Sequence, residues 1–135
     1  GTEPADPDTI AAEADVVSLH VPRTPETENL IGAARLRAMK PTCILINTAR
    51  GGLVDEFALA DALNAGRLYG AGLDVYDQEP LPHDHPLHGA PNCILTDHVA
   101  WYSGAAVADL QREAAEELRR ALLGERLHNP VRAGA

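Results

Sequence analysis

No surplus of positive charge, no long apolar run and almost no cysteine mark this 135-residue chain. Lys and Arg number 11 against 20 Asp and Glu, a formal charge of −9. Phosphate backbones are held by clusters of Lys and Arg, so this balance argues against nucleic-acid and anionic-membrane partners. No apolar stretch approaches the roughly 20 residues of a membrane-spanning helix. Nothing resembles a signal peptide, and the chain reads as cytoplasmic. The two cysteines, Cys43 and Cys93, each open an apolar run and read as buried reduced thiols, not as a disulfide framework. There is no internal repeat and no low-complexity segment. The cluster His83-Asp84-His85-Pro86-Leu87-His88 matches no strong zinc spacing, so no metal site is expected and the segment reads as a stiff, solvated loop.

What is present is the pattern of an α/β domain. A hydrophobic content of 45% suits a globular chain with a real core. Residues 1–9 read as loop and Ile10–Ala14 as the last turn of a helix. Strands are expected at Asp15–Val21, Cys43–Asn47, Tyr69–Val75 and Cys93–Thr96. Between them, Leu30–Met39 and the segment from Asp55 to Gly66 carry helical signals, with Asp55 and Glu56 placing negative charge at a helix start. Residues 77–92 form a loop holding Pro80, Pro82, Pro86 and Pro91. Ser103 is placed to cap a long helix that ends near Gly124, and Val107, Leu110, Ala114, Leu118 and Leu122 line one face as a core stripe. No G-x-S-x-G elbow surrounds Ser103, so capping outweighs a nucleophilic role. This order predicts a parallel sheet.

Three polar residues then stand out, because each follows a different strand. Arg50 lies in Asn47-Thr48-Ala49-Arg50-Gly51-Gly52-Leu53-Val54-Asp55-Glu56, Glu79 comes after Gly72-Leu73-Asp74-Val75-Tyr76, and His98 comes after Cys93-Ile94-Leu95-Thr96. The ends of strands are where such sheets take ligands. Reduction of a 2-oxo acid needs a cation that holds a carboxylate through two parallel hydrogen bonds, which suits Arg. It needs a proton donor for the carbonyl oxygen, which suits His, and a carboxylate that orients the imidazole. Arg50, His98 and Glu79 match these tasks. His20 and Trp101 remain open between packing and a place at the ligand.

These motifs, with Val16-Val17-Ser18-Leu19-His20-Val21-Pro22 and His98-Val99-Ala100-Trp101-Tyr102-Ser103, resemble those of the D-isomer-specific 2-hydroxyacid dehydrogenases. The last motif is most similar to the branch that includes the C-terminal-binding-protein corepressors. The resemblance runs from about Ala12 to Val131. It implies an NAD-dependent oxidoreductase, with NADP left open, acting on a small 2-hydroxy or 2-oxo acid and forming a homodimer in its full-length form. Arg50 would bind the substrate carboxylate, His98 would be the acid/base and Glu79 its partner. Val21, Pro22, Thr27, Thr48, Ala49, Arg50, Asp74, His98, Ala100 and Trp101 would line the cofactor, with Asp74 at the nicotinamide carboxamide or its ribose. Asp97 stands where the family usually has Pro.

The family's G-x-G-x-x-G loop, whose glycines admit a pyrophosphate at a helix N-terminus, does not occur here, nor does its substrate domain. The expectation is therefore a partial Rossmann-type, doubly wound parallel sheet lacking the first two strands. Residues 1–102 would be the C-terminal part of the NAD-binding domain, and 103–135 a helix and tail leading toward the substrate domain. With the Val16 strand taken as the third of the order 3-2-1-4-5-6, it and the Cys43 strand either pair directly or stand apart across a gap. Two further readings stay open: a dinucleotide-sensing, corepressor-like binding module, and an inactive truncated chain.

Overall fold

The computed structural model describes residues 2–131. The first unit ends at Ala100 and the second begins at Trp101.

The first unit is a four-stranded parallel sheet, β1 (Val16–Leu19), β2 (Ile44–Asn47), β3 (Gly70–Leu73) and β4 (Cys93–Leu95), in the order β1-β2-β3-β4. Helices α1 (Pro7–Glu13), α2 (Ala33–Ala38) and α3 (Glu56–Asn64) and a 3₁₀ turn at Pro86–Gly89 complete it. Crossovers between parallel neighbours taken in sequence order are right-handed as a rule, which puts the intervening helices on one face. Accordingly α1 packs on α2, α2 on α3, and α3 on the 3₁₀ turn.

The strand burial alternates as the pleat requires. Val17, Leu19, Leu45, Ala71 and Leu73 face the helices with Leu36, Leu59 and Leu63. Leu45 and Leu59 are wholly buried, each stabilising by about 1.5–3 kcal/mol. The opposite face is open within this unit: Val16 and Ile94 are exposed, and Ile44, Ile46 and Gly72 line a shallow apolar groove of about 520 Å³.

Direct pairing is the arrangement found for the first two strands, from Val16 opposite Ile44 to Leu19 opposite Asn47. In the order 3-2-1-4-5-6, strands 3 and 4 are not neighbours, whereas 4, 5 and 6 are. β1 therefore takes the place of strand 4, and its assignment as the third strand is corrected.

Residues 1–9 are not all loop. Asp6 accepts hydrogen bonds from the Asp8 and Thr9 amides at 3.0 Å each, and Pro7 occupies the first helical position, where its missing N–H costs nothing. The histidine-rich segment is not all solvated either. Pro86 opens the 3₁₀ turn, Leu87 enters the core and His85 is buried.

The second unit is built on α4 (Gly104–Leu123). Ser103 Oγ accepts the Ala106 amide at 3.0 Å, and Gly124 closes the helix in the left-handed conformation at φ 71°. Arg119 pairs with Glu116 and forks onto both oxygens of Glu125. The expected core stripe is corrected: α4 buries none of its residues, and Leu110, Leu118 and Leu122 are exposed. Periodicity identifies an apolar face but not what covers it.

Candidate active site

Because the four strands are parallel, the loops that follow them leave one edge of the sheet. Thr48–Arg50, Asp74–Glu79 and Thr96–Ala100 all emerge there, with Val21 and Pro22 after β1. The candidate residues of the first unit share that edge.

Arg50 is presented by a turn built on Asn47. The buried Asn47 amide accepts the Ala49 N–H at 3.1 Å and donates to the Arg50 carbonyl at 2.9 Å. The Arg50 side chain is exposed and donates to the Ala49 carbonyl at 2.6 Å. A Cβ at Gly51 would lie 1.7 Å from the Tyr76 carbonyl oxygen, so only glycine lets the Arg50 turn abut the loop after β3. Thr48 is exposed and Ala49 half-buried.

His98 and Glu79 are brought together. His98 Nδ1 lies 2.8 Å from Glu79 Oε2, and the other Glu79 oxygen accepts the Tyr76 amide at 3.0 Å. The bond to His98, followed by that from Tyr76, holds the Glu79 carboxyl below the usual carboxylate range. Both side chains remain partly open to a cavity of about 450 Å³ lined by Tyr76, Pro80, Leu81 and Asp97 with the pair itself.

The backbone at His98 is left-handed, at φ 56°, a costly conformation for a residue with a Cβ. Asp74 holds it there. The Asp74 carbonyl accepts the His98 amide at 2.8 Å. One carboxylate oxygen accepts Thr96 Oγ1 at 2.5 Å and the Val99 amide at 2.8 Å, and the other accepts the Ala100 amide at 2.9 Å. Burial pushes the Asp74 carboxyl up, but the bonds from Thr96, Ala100 and Val99 outweigh it, and its pKa lies below the ordinary value. Tyr76 ties the same two loops together, since its hydroxyl donates to the Thr96 carbonyl at 2.9 Å; burial raises that phenol to about 12.

Asn47, Tyr76 and Thr96 are site residues that sequence reasoning does not single out. Asn47 carries a weak signal, as a polar residue closing an otherwise apolar strand. Thr27 braces the loop after β1, with its hydroxyl donating to the Pro22 carbonyl at 2.8 Å and accepting the Thr24 amide at 2.7 Å. His20 is exposed, 2.9 Å from Ser18 Oγ. Trp101 belongs to the second unit, where its ring meets Tyr102 edge-on at 5.3 Å. Cys43 and Cys93 are free thiols; burial raises both, Cys93 to about 11.

The residues of this edge suit an oxo acid beside a nicotinamide: a cation, and an imidazole with a carboxylate partner on a turn that the Asp74 carboxylate holds. They do not suit a pyrophosphate, for which no glycine-rich loop is present in the sequence.

Residues 1–100 match the family described as D-isomer specific 2-hydroxyacid dehydrogenase, NAD binding domain. A glycerate dehydrogenase from Methylorubrum extorquens is 48% identical over 122 residues, which are 89% of this chain and 39% of that protein. The structure of the TT0316 protein from Thermus thermophilus superposes with a TM-score of 0.89 at 48% identity, covering 95% of this chain and 41% of the other. D-Lactate dehydrogenase with NAD+ from Lactobacillus jensenii gives a TM-score of 0.89 at 37% identity, covering 96% and 43%. The chain thus spans about two-fifths of these relatives.

Proposed function

This chain belongs to the D-isomer-specific 2-hydroxyacid dehydrogenase family, as part of its NAD-binding domain, and on that premise we propose that the protein it belongs to interconverts a small 2-oxo acid and its D-2-hydroxy acid. The observation that carries the reading is the His98–Glu79 pair, 2.8 Å apart, on a left-handed turn held by Asp74 at the sheet edge that also presents Arg50. NAD, or NADP, supplies the hydride acceptor or donor when bound. Arg50 takes the substrate carboxylate through its guanidinium fork. Glu79 orients the imidazole by accepting at Nδ1, so that Nε2 passes the proton to the C2 oxygen in reduction and takes it back in oxidation. Thr48, Ala49, Asp74 and Ala100, with Val21, Pro22 and Thr27, line the nicotinamide half, and Trp101 belongs to the same set. We read residues 1–102 as the NAD-binding part and 103–135 as the passage to the substrate domain. The full-length form is read as a cytoplasmic homodimer with no nucleic-acid partner, in keeping with the excess of acidic over basic residues.

The test is NADH and NADPH oxidation by the complete protein with pyruvate, hydroxypyruvate and glyoxylate, in wild type and in His98→Asn. Turnover of at least one acid, falling by a factor of about 10²–10⁴ in His98→Asn, is expected. Tight NADH binding with no turnover of any of them would overturn the reaction and favour a dinucleotide sensor.

A further inference from the structure

We propose that Glu56 and His85 are positioning residues for the Glu79–His98 pair: Glu56, in the first turn of α3, anchors the loop after β3 by holding the Asp77 amide, and His85 backs Glu56 from the other side. The proposal rests on the reaction proposed above. Neither residue is among those placed at the substrate or the cofactor above, and both are almost fully buried, at 8% and 9% exposure. An acidic residue at a helix start is ordinarily solvated, and burying a carboxylate is costly unless its hydrogen bonds are satisfied. Here Glu56 Oε1 accepts the Asp77 amide at 2.7 Å, and Oε2 lies 3.5 Å from His85 Nε2.

His85 is arranged for that contact in its neutral form. Its Nδ1 accepts the Leu87 amide at 3.4 Å, which puts the ring proton on Nε2, facing Glu56. Phe57 packs on the ring with centroids 4.9 Å apart. Burial raises the Glu56 carboxyl and lowers the His85 imidazole.

The anchor acts where the active loop begins. Amides 76 and 77 are consecutive, and two carboxylates hold them: Glu79 takes the Tyr76 amide and Glu56 the Asp77 amide. Arg23 then grips the Asp77 carboxylate at 2.7 Å while pairing with Glu28 at 2.9 Å. With Asp77 fixed at its amide and its side chain, the backbone between it and Glu79 has little freedom. Glu79 Oε2 is thereby aimed at His98 Nδ1. Displacements of about 1 Å at reacting groups lower rates as much as 10²-fold, so an anchor outside the site can govern turnover.

The experiment compares Glu56→Ala and Glu56→Gln with wild type in two readouts: kcat and KM of the complete protein, and the titration of the Glu79 carboxyl followed by carbon NMR of labelled protein. For Glu56→Ala, kcat falls by about tenfold or more while KM for the oxo acid stays within about twofold, and the Glu79 titration rises toward the ordinary carboxylate value. Glu56→Gln keeps an oxygen that accepts the Asp77 amide but turns its NH₂ toward the His85 ring proton, so it recovers most, not all, of both readouts. Equal loss in the Gln variant, or a folded Glu56→Ala with both readouts unchanged, overturns the proposal. Should Glu56→Ala fail to fold, Glu56→Asp replaces it: its charge stays at the helix start but its carboxylate falls one methylene short of Asp77. The same upward shift of Glu79 is expected there, and an unchanged titration overturns the anchor. A wild-type protein that turns over no 2-oxo acid defeats the reaction reading alone, and the Glu79 titration still decides the anchor.

Discussion

Replacing Asp74 by Asn removes one charge and no volume, and it isolates what keeps His98 in its left-handed turn. The carboxylate accepts three bonds, from Thr96 Oγ1, the Val99 amide and the Ala100 amide. An Asn side chain has one oxygen. It can serve Thr96 and Val99, or Ala100, and in either case its NH₂ confronts a donor. The folded-state pKa of Asp74 is lowered despite its burial, so the ionised form is the better bound one and neutralising it is a net loss. Loss of a hydrogen bond to a charged acceptor costs about 1.5–3 kcal/mol, and we expect Asp74→Asn to fall in that range. The left-handed residue itself stores about 1–3 kcal/mol, which drives the loosened turn toward extended backbone. Urea unfolding gives the stability change, and hydrogen exchange at the Val99 and Ala100 amides reports the turn. A midpoint equivalent to less than about 0.5 kcal/mol of change, with both amides still protected, would refute the argument. Thr96→Val should add less in the Asn background than in wild type, because both substitutions weaken the same hydrogen-bond network.

Four further outcomes follow from the same geometry. Asp74 and Glu79 have lowered pKa values, so the stability they contribute is full above the ordinary carboxylate range near pH 4 and is lost as pH falls through their folded values. The buried His85, also lowered, weakens the fold from about pH 6.5 downward, because the unfolded chain takes the proton first; thermal melts should show an upper acid limb that His85→Phe removes. Gly51→Ala should cost at least about 2 kcal/mol, since its Cβ meets the Tyr76 carbonyl, whereas Gly72→Ala has nothing within 4 Å of its added Cβ and should differ little; denaturant melts of the pair decide it. Ser103→Ala removes the cap of α4 and should cost about 1 kcal/mol of helix stability, read as faster exchange of the Ala106 amide.

The elements that sequence reasoning locates are those whose causes are local. Asp55 and Ser103 cap α3 and α4 because a short polar side chain precedes a helical apolar pattern, and both accept the amide three residues on. Gly124 stops α4 for the same near-neighbour reason. Pro7 reads as loop in the sequence yet starts a helix, because proline signals a break and an N-terminal position equally well. His85 reads as solvated because three histidines and several prolines are polar and stiff on average, and nothing in the segment itself shows that α3 stands behind it.

Side-chain periodicity and backbone chemistry over a few residues are enough to set the α/β class, the four strands, the caps and the motifs that put Arg50, Glu79 and His98 each after a strand. The amino-acid order therefore carries these without help. The assembled fold was needed to establish that β1 lies beside β2, that Asp74 reaches the amides of residues 99 and 100, and that Glu56 holds Asp77. Those contacts join residues more than twenty positions apart. They exist because parallel register and helix packing bring the strand-end loops to one edge, and no local pattern encodes which donor will face which acceptor there.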